Sequence, residues 1–340
     1  MELFVTVGCG IVAFLITWFL TPVVIQLCFD RGWVIMPGGR RTHEGAKPTV
    51  GGIAMFAGIA VALVASWLAG WWVPALQRTP RDELRLGLLL AGTTLTFVVM
   101  WIDDVKELPW LPKFIVNIVA GLIAVGPFLW DQQRYPDALG HVTEVRGIVF
   151  LGFNMPFGEY VDFYALSPWL AIIITVFWLG WMVNTINWMD GIDGLAAGVS
   201  MIAGLMLGIH ALRLDPAQYT LAVVPLALAG ACAGFLLFNF PPAKIFMGDS
   251  GAEVLGYVLG ISAIIGGAKM ATVMLVLGVW ILDVAWLIVS RTLAGRSPTK
   301  SGRDHLHQRL TDAGFSNRQI TLYFYAISIV FGTLGIADIG

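Results

Sequence analysis

The chain has 340 residues, of which 58% are hydrophobic and 12% are charged, and its mean hydropathy is +0.80. Soluble domains carry about 25% charged residues, so this composition excludes a soluble globular protein and indicates a helical integral membrane protein. The net charge of −2 points to no class of partner, and we expect no nucleic-acid binding. The three cysteines lack metal-ligand spacing, so we interpret them as packing residues.

Apolar windows that are almost free of charge predict ten membrane spans, because a helix needs about 20 residues to cross a bilayer. In chain order they are 3–29, 48–76, 86–102, 114–130, 163–189, 194–212, 216–240, 252–268, 270–290 and 320–336. The first window is too long, and its start too poor in basic residues, for a removable signal peptide. We find no repeat or linker, so we expect one domain, residues 1–340.

The connection between the fourth and fifth spans is the longest one on its side of the membrane. Residues 145–150 and 158–163 are rich in Val, Ile, Tyr and Phe, which predicts two strands of a short extracytoplasmic β-hairpin. The ninth span contains Asp283, an acid that we expect to pair with a group on another helix, although it is also a functional candidate.

Lysine and arginine predict the orientation of the bundle. Thirteen of the 20 fall in one set of loops and seven in the other, so the first set is expected to face the cytoplasm. An even number of spans then places both termini outside. Every loop with chemically interesting residues belongs to the cytoplasmic set.

Four oxygen-bearing side chains follow one another at intervals of three where the fifth span ends: Asn184, Asn187, Asp190 and Asp193. Residues three apart share one face of a helix, so these side chains can converge if the helix continues past Gly191. Polar groups at a membrane boundary need partners, and oxygen ligands suit Mg²⁺. The alternative is a polar turn between two spans, with Asp and Gly as caps.

An acidic pair, Asp103 and Asp104, ends the third span. Adjacent carboxylates on a helix point in different directions, so one can face a metal or phosphate while the other caps another element. The alternative is a solvated helix end. An acidic pair after an apolar span favours a functional role.

A second acidic motif follows the seventh span. Prolines 241 and 242 stop that helix, and Asp249 or Ser250 is expected at the N-cap of the next one. As a metal ligand, Asp249 would lie beside helix N–H groups that also favour phosphate. Phe246 is a candidate for stacking on a base, although a phenylalanine near a membrane is usually a core residue.

Two basic loops complete the polar motifs. The first loop, 37–52, can bind an anion or act only as a positive-inside anchor. The last loop, 296–309, contains Arg and His side chains suited to phosphate. Its His-x-His pair lacks a third ligand for zinc, so we interpret it as an anion site.

These motifs occur together, in a fixed order, in a known family. Asp-Asp at 103–104, Asn-x-x-Asn-x-x-Asp-Gly-x-Asp-Gly at 184–194, Phe-x-Gly-Asp-Ser-Gly at 246–251 and His-x-His at 305–307 lie on one predicted face. The chain resembles the polyprenyl-phosphate N-acetylhexosamine-1-phosphate transferases of glycosyltransferase family 4, in the WecA and TagO branch, to which MraY is related. The resemblance covers nearly the whole chain.

The resemblance implies a reaction at the inner face of the cell membrane. Undecaprenyl phosphate would attack the sugar-bearing phosphorus of a UDP-N-acetylhexosamine, UMP would leave, and a lipid-linked pyrophosphate sugar would remain for cell-envelope polysaccharide synthesis. The partners are therefore the UDP-sugar, the polyprenyl phosphate and membrane lipid, and a homodimer stays open. A transporter is the alternative from another class, but it would need polar residues near the midplane and often two similar halves.

The resemblance also implies roles for individual residues. Asp249 would bind Mg²⁺, with Asn187 as a co-ligand and Mn²⁺ as an alternative ion. The carboxylates expected to act in catalysis are Asp103, Asp104, Asp190 and Asp193. The residues expected to bind the two substrates are Lys47, Asn184, Phe246, Arg303, His305, His307 and Arg309.

Departures from the family patterns refine two expectations. Many relatives carry His-x-His-His, whereas this chain has Gln308 at the third histidine, so the loop is expected to bind substrate and not to transfer protons. The chain also differs from the MraY branch at Trp188, Met189 and Arg309. These differences favour a simple UDP-N-acetylhexosamine donor, and we expect UDP-N-acetylglucosamine. UDP-muramyl-pentapeptide, the MraY donor, is the alternative.

Overall fold

A computed structural model describes residues 2–36, 45–136, 142–154, 160–265, 273–274, 276–295 and 306–337. Within these ranges the protein is a bundle of long apolar helices with three short strand pairs. The long helices are α1 (Glu2–Arg31), α2 (Gly52–Ala69), α3 (Pro80–Lys106), α4 (Trp110–Val125), α6 (Pro168–Met189), α7 (Leu195–Arg213), α8 (Tyr219–Asn239), α9 (Gly248–Ile265), α10 (Gly278–Leu293) and α12 (Asn317–Ala337). The shorter helical elements are α5 (Phe163–Leu166), α11 (Leu306–Asp312) and 3₁₀ turns at Pro74–Leu76 and Gly126–Leu129.

Nine helices of the described chain are long and apolar enough to cross a membrane. The ninth predicted span, 270–290, overlaps α10, which has 16 residues and is, together with α4, the shortest of the long helices. The predicted all-α, multi-pass membrane fold is therefore confirmed.

Local signals in the sequence set where several helices begin. Thr79 caps α3, because its side chain accepts a hydrogen bond from the Asp82 N–H while Asp82 reaches back to the Thr79 N–H. Pro80 and Pro168 occupy the first turns of α3 and α6, where a missing N–H removes no helical hydrogen bond.

The helices differ in how deeply they lie in the bundle. In α7 and α9, 78% of the membrane-length window is buried inside the protein, against 22% in α1. The central helix α9 packs against α3 and α6, and α7 packs against α8 and α12. The acidic motif at the start of α9 is therefore surrounded by other helices and not by lipid.

Small residues allow α1 and α8 to pack closely. A Cβ atom at Gly230 would lie 2.0 Å from the Gly10 carbonyl oxygen, and one at Gly234 would lie 2.6 Å from the Phe14 carbonyl oxygen. Close backbone approach through small residues is a main source of helix association in lipid. These glycines therefore define one of the most extensive helix pairs in the protein.

Short antiparallel strand pairs lie in the loops. They are β1 (Val34–Ile35) with β2 (Lys47–Pro48), β3 (Tyr135–Pro136) with β4 (Val142–Glu144), and β5 (Gly152–Asn154) with β6 (Tyr160–Asp162). The pairs β3–β4 and β5–β6 lie in the connection from α4 to α5, and we call this side of the bundle the hairpin end. The opposite side, where α3 and α6 end and α9 begins, is the acidic end.

The predicted strand at 145–150 is wrong, whereas the one at 158–163 corresponds to β6, whose partner is β5. Residues 145–150 are extended but bond to helices: the Ile148 N–H donates to the Ala124 carbonyl oxygen at 2.9 Å, and the Phe150 N–H donates to Thr175 Oγ1 at 2.9 Å. The side chains of Val145 and Val149 pack with Phe128 in a small core. This segment is therefore held against α4 and α6 and does not pair with another strand.

Asp283 in α10 has the partner that the sequence predicts. Its Oδ1 accepts a hydrogen bond of 3.1 Å from the backbone N–H of Leu306, the first residue of α11. The acid thus connects a long helix to the short helix of the last loop.

Candidate active site

A cavity of about 1200 Å³ opens at the acidic end of the bundle. Small-molecule sites usually measure about 300–1,000 Å³, so this one is large for a single ligand. Its acidic lining residues are Asp103, Asp104, Glu107, Asp190, Asp193 and Asp249. Its basic lining residues are Lys47, Lys113, Lys244 and Arg318.

Asp104 caps the N-terminus of α9, a helix that begins 144 residues later in the chain. Its Oδ1 accepts a hydrogen bond from the Asp249 N–H at 2.7 Å, and its Oδ2 accepts from the Ser250 N–H at 3.1 Å and from Ser250 Oγ at 2.5 Å. A carboxylate at a helix N-terminus satisfies free donors and complements the helix dipole. The cap expected at Asp249 or Ser250 is therefore supplied by Asp104.

The approach of Asp104 to α9 requires a glycine. Gly248 has a φ of +75°, and a Cβ atom there would lie 2.5 Å from Asp104 Oδ2 and 2.2 Å from the Thr49 carbonyl oxygen. A side chain at this position would push α3 and the first loop away from the helix start. The fold therefore requires a glycine at Gly248, the first position of the Gly-Asp-Ser-Gly motif.

Lys113, the cation that α4 contributes, lies between two aspartates. Its Nζ is 3.0 Å from Asp249 Oδ2 and forms a second ion pair with Asp103. Asp103 is almost fully buried, at 5% exposure, and its Oδ1 also accepts a 2.7 Å hydrogen bond from the Leu108 N–H. No sequence motif indicated Lys113; its position in the first turn of the helix after the acidic pair was the available signal.

The amides and acids at the end of α6 separate into two places. The Asn187 side chain is a hydrogen-bonding neighbour of Asp249, so the two predicted metal ligands do come together. Asn184 instead donates to the Gly180 carbonyl oxygen at 2.7 Å on an exposed part of α6. It does not line the cavity described above.

The loop after α6 brings Asp190 and Asp193 to the cavity. The helix ends at Met189, so these two acids are placed by a turn and not by a continuing helix. Asp193 Oδ2 accepts a hydrogen bond of 2.9 Å from the Ala243 N–H. Burial, together with the charges of three other aspartates, raises the pKa of Asp190 well above its usual range; those aspartates are Asp249, Asp104 and Asp193.

Other elements hold this turn in place. Asn239 bridges it to the next loop: its Oδ1 accepts from the Gly194 N–H at 3.0 Å, and its Nδ2 donates to the Ile245 carbonyl oxygen at 2.9 Å. The Tyr325 hydroxyl of α12 donates to the Gly194 carbonyl oxygen at 2.5 Å. The cavity floor is therefore fixed from three sides.

Lys47 and Phe246 form one basic and aromatic wall. Lys47 Nζ lies 5.3 Å from the centre of the Phe246 ring, and the Phe246 N–H donates to the Pro48 carbonyl oxygen at 2.8 Å. The first loop and the loop before α9 are thus joined through their backbones. Two residues predicted separately to bind substrate are neighbours.

The last loop contributes differently from its prediction. His307 is 2% exposed and lies beneath the acidic turn, because a Cβ atom at Gly191 would be 2.5 Å from its Nε2. Arg309 is exposed on α11 and is not among the cavity-lining residues. The predicted ligands Arg303 and His305 lie outside the described residues.

Two basic residues of the cavity were missed by motif reasoning. Arg318, at the start of α12, lines the cavity and has its guanidinium carbon 5.9 Å from the Phe240 ring centre. Lys244 lies in the loop before α9. Both carried only an orientation signal in the sequence.

The donor set fits a magnesium ion. Within the described ranges, no three His, Cys, Asp or Glu side chains are grouped so as to hold a metal by themselves. Mg²⁺, however, is usually bound through one or two carboxylates together with substrate phosphates. Asp249 with the Asn187 amide beside it, in a cavity with more acids than bases, provides that chemistry.

Comparison with known proteins identifies the family. A model of glycosyl transferase family 4 matches residues 86–267, more than half of the chain. The probable undecaprenyl-phosphate N-acetylglucosaminyl 1-phosphate transferase of Bacillus subtilis is 29% identical over 94% of this chain and 81% of its own length. The decaprenyl-phosphate N-acetylglucosaminephosphotransferase of Mycolicibacterium smegmatis is 34% identical over 93% and 78%. The phospho-N-acetylmuramoyl-pentapeptide-transferase of Desulforudis audaxviator is 32% identical over 96% of each chain.

The fold, the cavity and the matching family define a multi-pass membrane phospho-sugar transferase. The chain belongs to glycosyl transferase family 4. The resemblance inferred from four sequence motifs is therefore confirmed.

Proposed function

We propose that this protein transfers N-acetylglucosamine 1-phosphate from UDP-N-acetylglucosamine to undecaprenyl phosphate in the presence of Mg²⁺. A phosphate oxygen of the lipid forms a bond to the sugar-bearing phosphorus, the bond from that phosphorus to the bridging oxygen breaks, and UMP leaves with that oxygen. The names of the Bacillus and Mycolicibacterium relatives support this donor and the polyprenyl acceptor.

The proposal rests on the observation that acidic and basic residues line one cavity at the end of a membrane bundle. A lipid acceptor stays in the bilayer while a sugar nucleotide arrives from water, so the reaction must occur at such a boundary. The volume of about 1200 Å³ exceeds that of most single-ligand sites and suits two substrates.

Each group of residues supplies one part of the chemistry. Asp249 and Asn187 would hold the ion, which neutralises charge on the attacking and leaving oxygens when it is bound. Lys113, already beside Asp249, adds a positive charge at the same place. Lys47 and Arg318 supply charge-assisted contacts to the donor's phosphates.

The reaction requires no general base from the acidic pair. A phosphate monoester has a second pKa of about 6 and is largely dianionic at neutral pH, so the acceptor is already a nucleophile. Asp104 is occupied by three hydrogen bonds at the start of α9. We therefore assign Asp104 to positioning and Asp103 to holding Lys113.

A direct assay tests the activity and the metal together. The purified protein, in detergent, is incubated with labelled UDP-N-acetylglucosamine and undecaprenyl phosphate, with Mg²⁺ or with EDTA. We expect UMP and a labelled lipid pyrophosphate only with Mg²⁺. Absence of product with Mg²⁺ would overturn the proposal, and equal product with EDTA would remove the metal from it.

A competition experiment tests the donor. The relatives include pentapeptide transferases of similar identity, so both donors are supplied at equal concentration and the lipid products are identified by mass spectrometry. We expect lipid-linked N-acetylglucosamine to predominate, because Arg309 and the Trp188-Met189 pair depart from the muramyl branch. Predominance of lipid-linked muramyl-pentapeptide would place the chain in that branch.

We further propose that the acidic end faces the cytoplasm of the inner membrane, with both termini outside. Single cysteines at Gln77, on the hairpin end, and Ala313, on the acidic end, report this through an impermeant maleimide. Both positions are exposed, and the three native cysteines are buried. We expect labelling at Gln77 in intact cells and at Ala313 only after permeabilisation; the reverse pattern would invert the topology.

A further inference from the structure

Glu253 is an acid in the buried interior of α9 that the site described above does not use. It is 5% exposed and follows Asp249 by four residues, one helical turn further from the cavity. Its Oε2 atom has no hydrogen-bond partner. A buried charge without a partner is costly in a membrane protein, so this side chain needs an explanation.

Glu253 belongs to a ladder of three polar contacts between α4 and α9. At the cavity, Lys113 pairs with Asp249 at 3.0 Å. One turn deeper, Asn117 is the hydrogen-bonding neighbour of Glu253. One turn deeper again, the Tyr257 hydroxyl donates to the Ala120 carbonyl oxygen at 2.9 Å. The residue numbers rise together on both helices, so α4 and α9 run in the same direction where they meet, and the contact of Glu253 lies next to the ion pair at the cavity.

The middle contact is incomplete if Glu253 is ionised. Asn117 Oδ1 is buried without a partner, as Glu253 Oε2 is, and an ionised carboxylate accepts hydrogen bonds but donates none. Protonation of Oε2 resolves both deficits, because its O–H can donate to Asn117 Oδ1. The Asn117 amide N–H can then donate to Glu253 Oε1, which closes a cyclic pair of acid and amide.

The surrounding charges also disfavour an ionised Glu253. Asp249 on its own helix and Asp103 on α3 repel a negative charge there, whereas Lys113 on α4 attracts it. That lysine is already shared by the two aspartates.

We propose that Glu253 is a positioning residue that stays protonated, pairs with Asn117, and thereby holds Asp249 and Lys113 in register at the cavity. Only the activity measurement below rests on the proposed function. The spectroscopic measurement is independent of it.

Infrared difference spectroscopy tests the protonation state. Spectra of the full-length protein in lipid nanodiscs at neutral pH are compared with those of the Glu253→Gln variant. We expect the wild type alone to show a protonated carboxyl C=O band that shifts in D₂O, and we expect Asn117→Ala to move that band to higher frequency. Absence of the band would overturn the proposal, because Glu253 would then be ionised.

Steady-state kinetics test the positioning role. Glu253→Gln can form the same cyclic pair as an amide, so its kcat should stay within about twofold of wild type, while Glu253→Leu should lose about tenfold in kcat with unchanged KM values. Tyr257→Phe, which breaks the neighbouring contact, is the matched control and should retain turnover. A Glu253→Gln variant that is as impaired as Glu253→Leu would overturn the proposal. If Glu253→Leu fails to fold, Glu253→Gln and the infrared band still decide.

Discussion

The charged side chains at the two ends of the bundle are paired differently. At the hairpin end, acids and arginines pair: Arg134 Nη2 lies 2.6 Å from Asp162 Oδ2, and Arg146 Nη1 lies 3.4 Å from Asp131 Oδ2. A third pair joins Arg81 and Glu144.

At the acidic end, six acids and four bases line one cavity. Among the ion pairs described there, both are made by Lys113. Ion pairs neutralise charged side chains and stabilise the fold. An excess of negative charge around a cavity instead favours the binding of a positively charged ligand, such as a metal ion. The difference supports the proposal that the reaction takes place at the acidic end.

The largest expected effect comes from removing the central acid of the acidic end. We expect Asp249→Asn to lower kcat by at least about 10²–10³-fold, because a group that stabilises developing charge is lost, while the protein still inserts and purifies normally. The measurement is UMP release at saturating and at limiting Mg²⁺. The control is Asp162→Asn at the hairpin end, which should turn over normally. Near-normal activity of Asp249→Asn at limiting Mg²⁺ would remove this residue from the metal site.

Two capping residues, one at each end of the bundle, provide the second test. Asp104→Ala removes the cap of α9, and Thr79→Ala removes the cap of α3 at the hairpin end. We expect each to cost about 0.5–2 kcal/mol in stability, seen as a lower midpoint of thermal unfolding in detergent. Only Asp104→Ala should also lose turnover, because α9 carries Asp249. Equal turnover in the two variants would show that the cap does not position the site.

An arginine at each end provides the next test. We expect Arg318→Ala to raise KM for the sugar nucleotide about tenfold or more, since a charge-assisted hydrogen bond is worth about 1.5–3 kcal/mol, and to leave KM for the lipid unchanged. Arg213→Ala, at the exposed hairpin-end terminus of α7, should change neither. A rise confined to the lipid KM would assign Arg318 to the other substrate.

The smallest effect is expected from an ion pair at the hairpin end. Burial acts to raise the pKa of Asp162, but hydrogen bonds from Arg134 and from the Ala165 N–H hold that pKa below its usual value. A lowered folded-state pKa gives stability that is present above the unfolded pKa of about 3.9 and is lost as pH falls through the folded value.

The consequence is measurable in the thermal unfolding midpoint. Arg134→Gln should cost about 0.2–1 kcal/mol at neutral pH and should remove part of the decline in stability below about pH 4. Activity at neutral pH should stay at the wild-type level. A large loss of turnover would show that the hairpin end takes part in the reaction.

Much of the fold follows from the sequence, because length and apolarity alone decide which segments cross a bilayer. Prediction was wrong at residues 145–150, where apolar side chains meant burial against two helices and not strand pairing. The types of residue cannot distinguish these cases, since they indicate burial and not the hydrogen-bond partner.

The residues that form the site could be predicted from the sequence better than the contacts among them. Motif order indicated Asp103, Asp104 and Asp249, but the hydrogen bonds from α9 to Asp104 and the ion pair of Lys113 with Asp249 join residues more than 130 positions apart in α9 and the α3–α4 region. Such contacts depend on how helices are arranged in space. Arg318 carried no motif signal at all.

The glycine contact between α1 and α8 has a consequence for biogenesis. Gly10 and Gly230 are separated by 220 residues of sequence, which ribosomes translate in roughly 10–40 s at about 5–20 residues per second. The N-terminal helix α1 is therefore in the bilayer, with most of its surface against lipid, for some time before its main partner α8 is synthesised. The helix that carries Asp249 follows α8 directly, and α12, which carries Arg318, comes later still, so the cavity can form only after most of the chain has been synthesised.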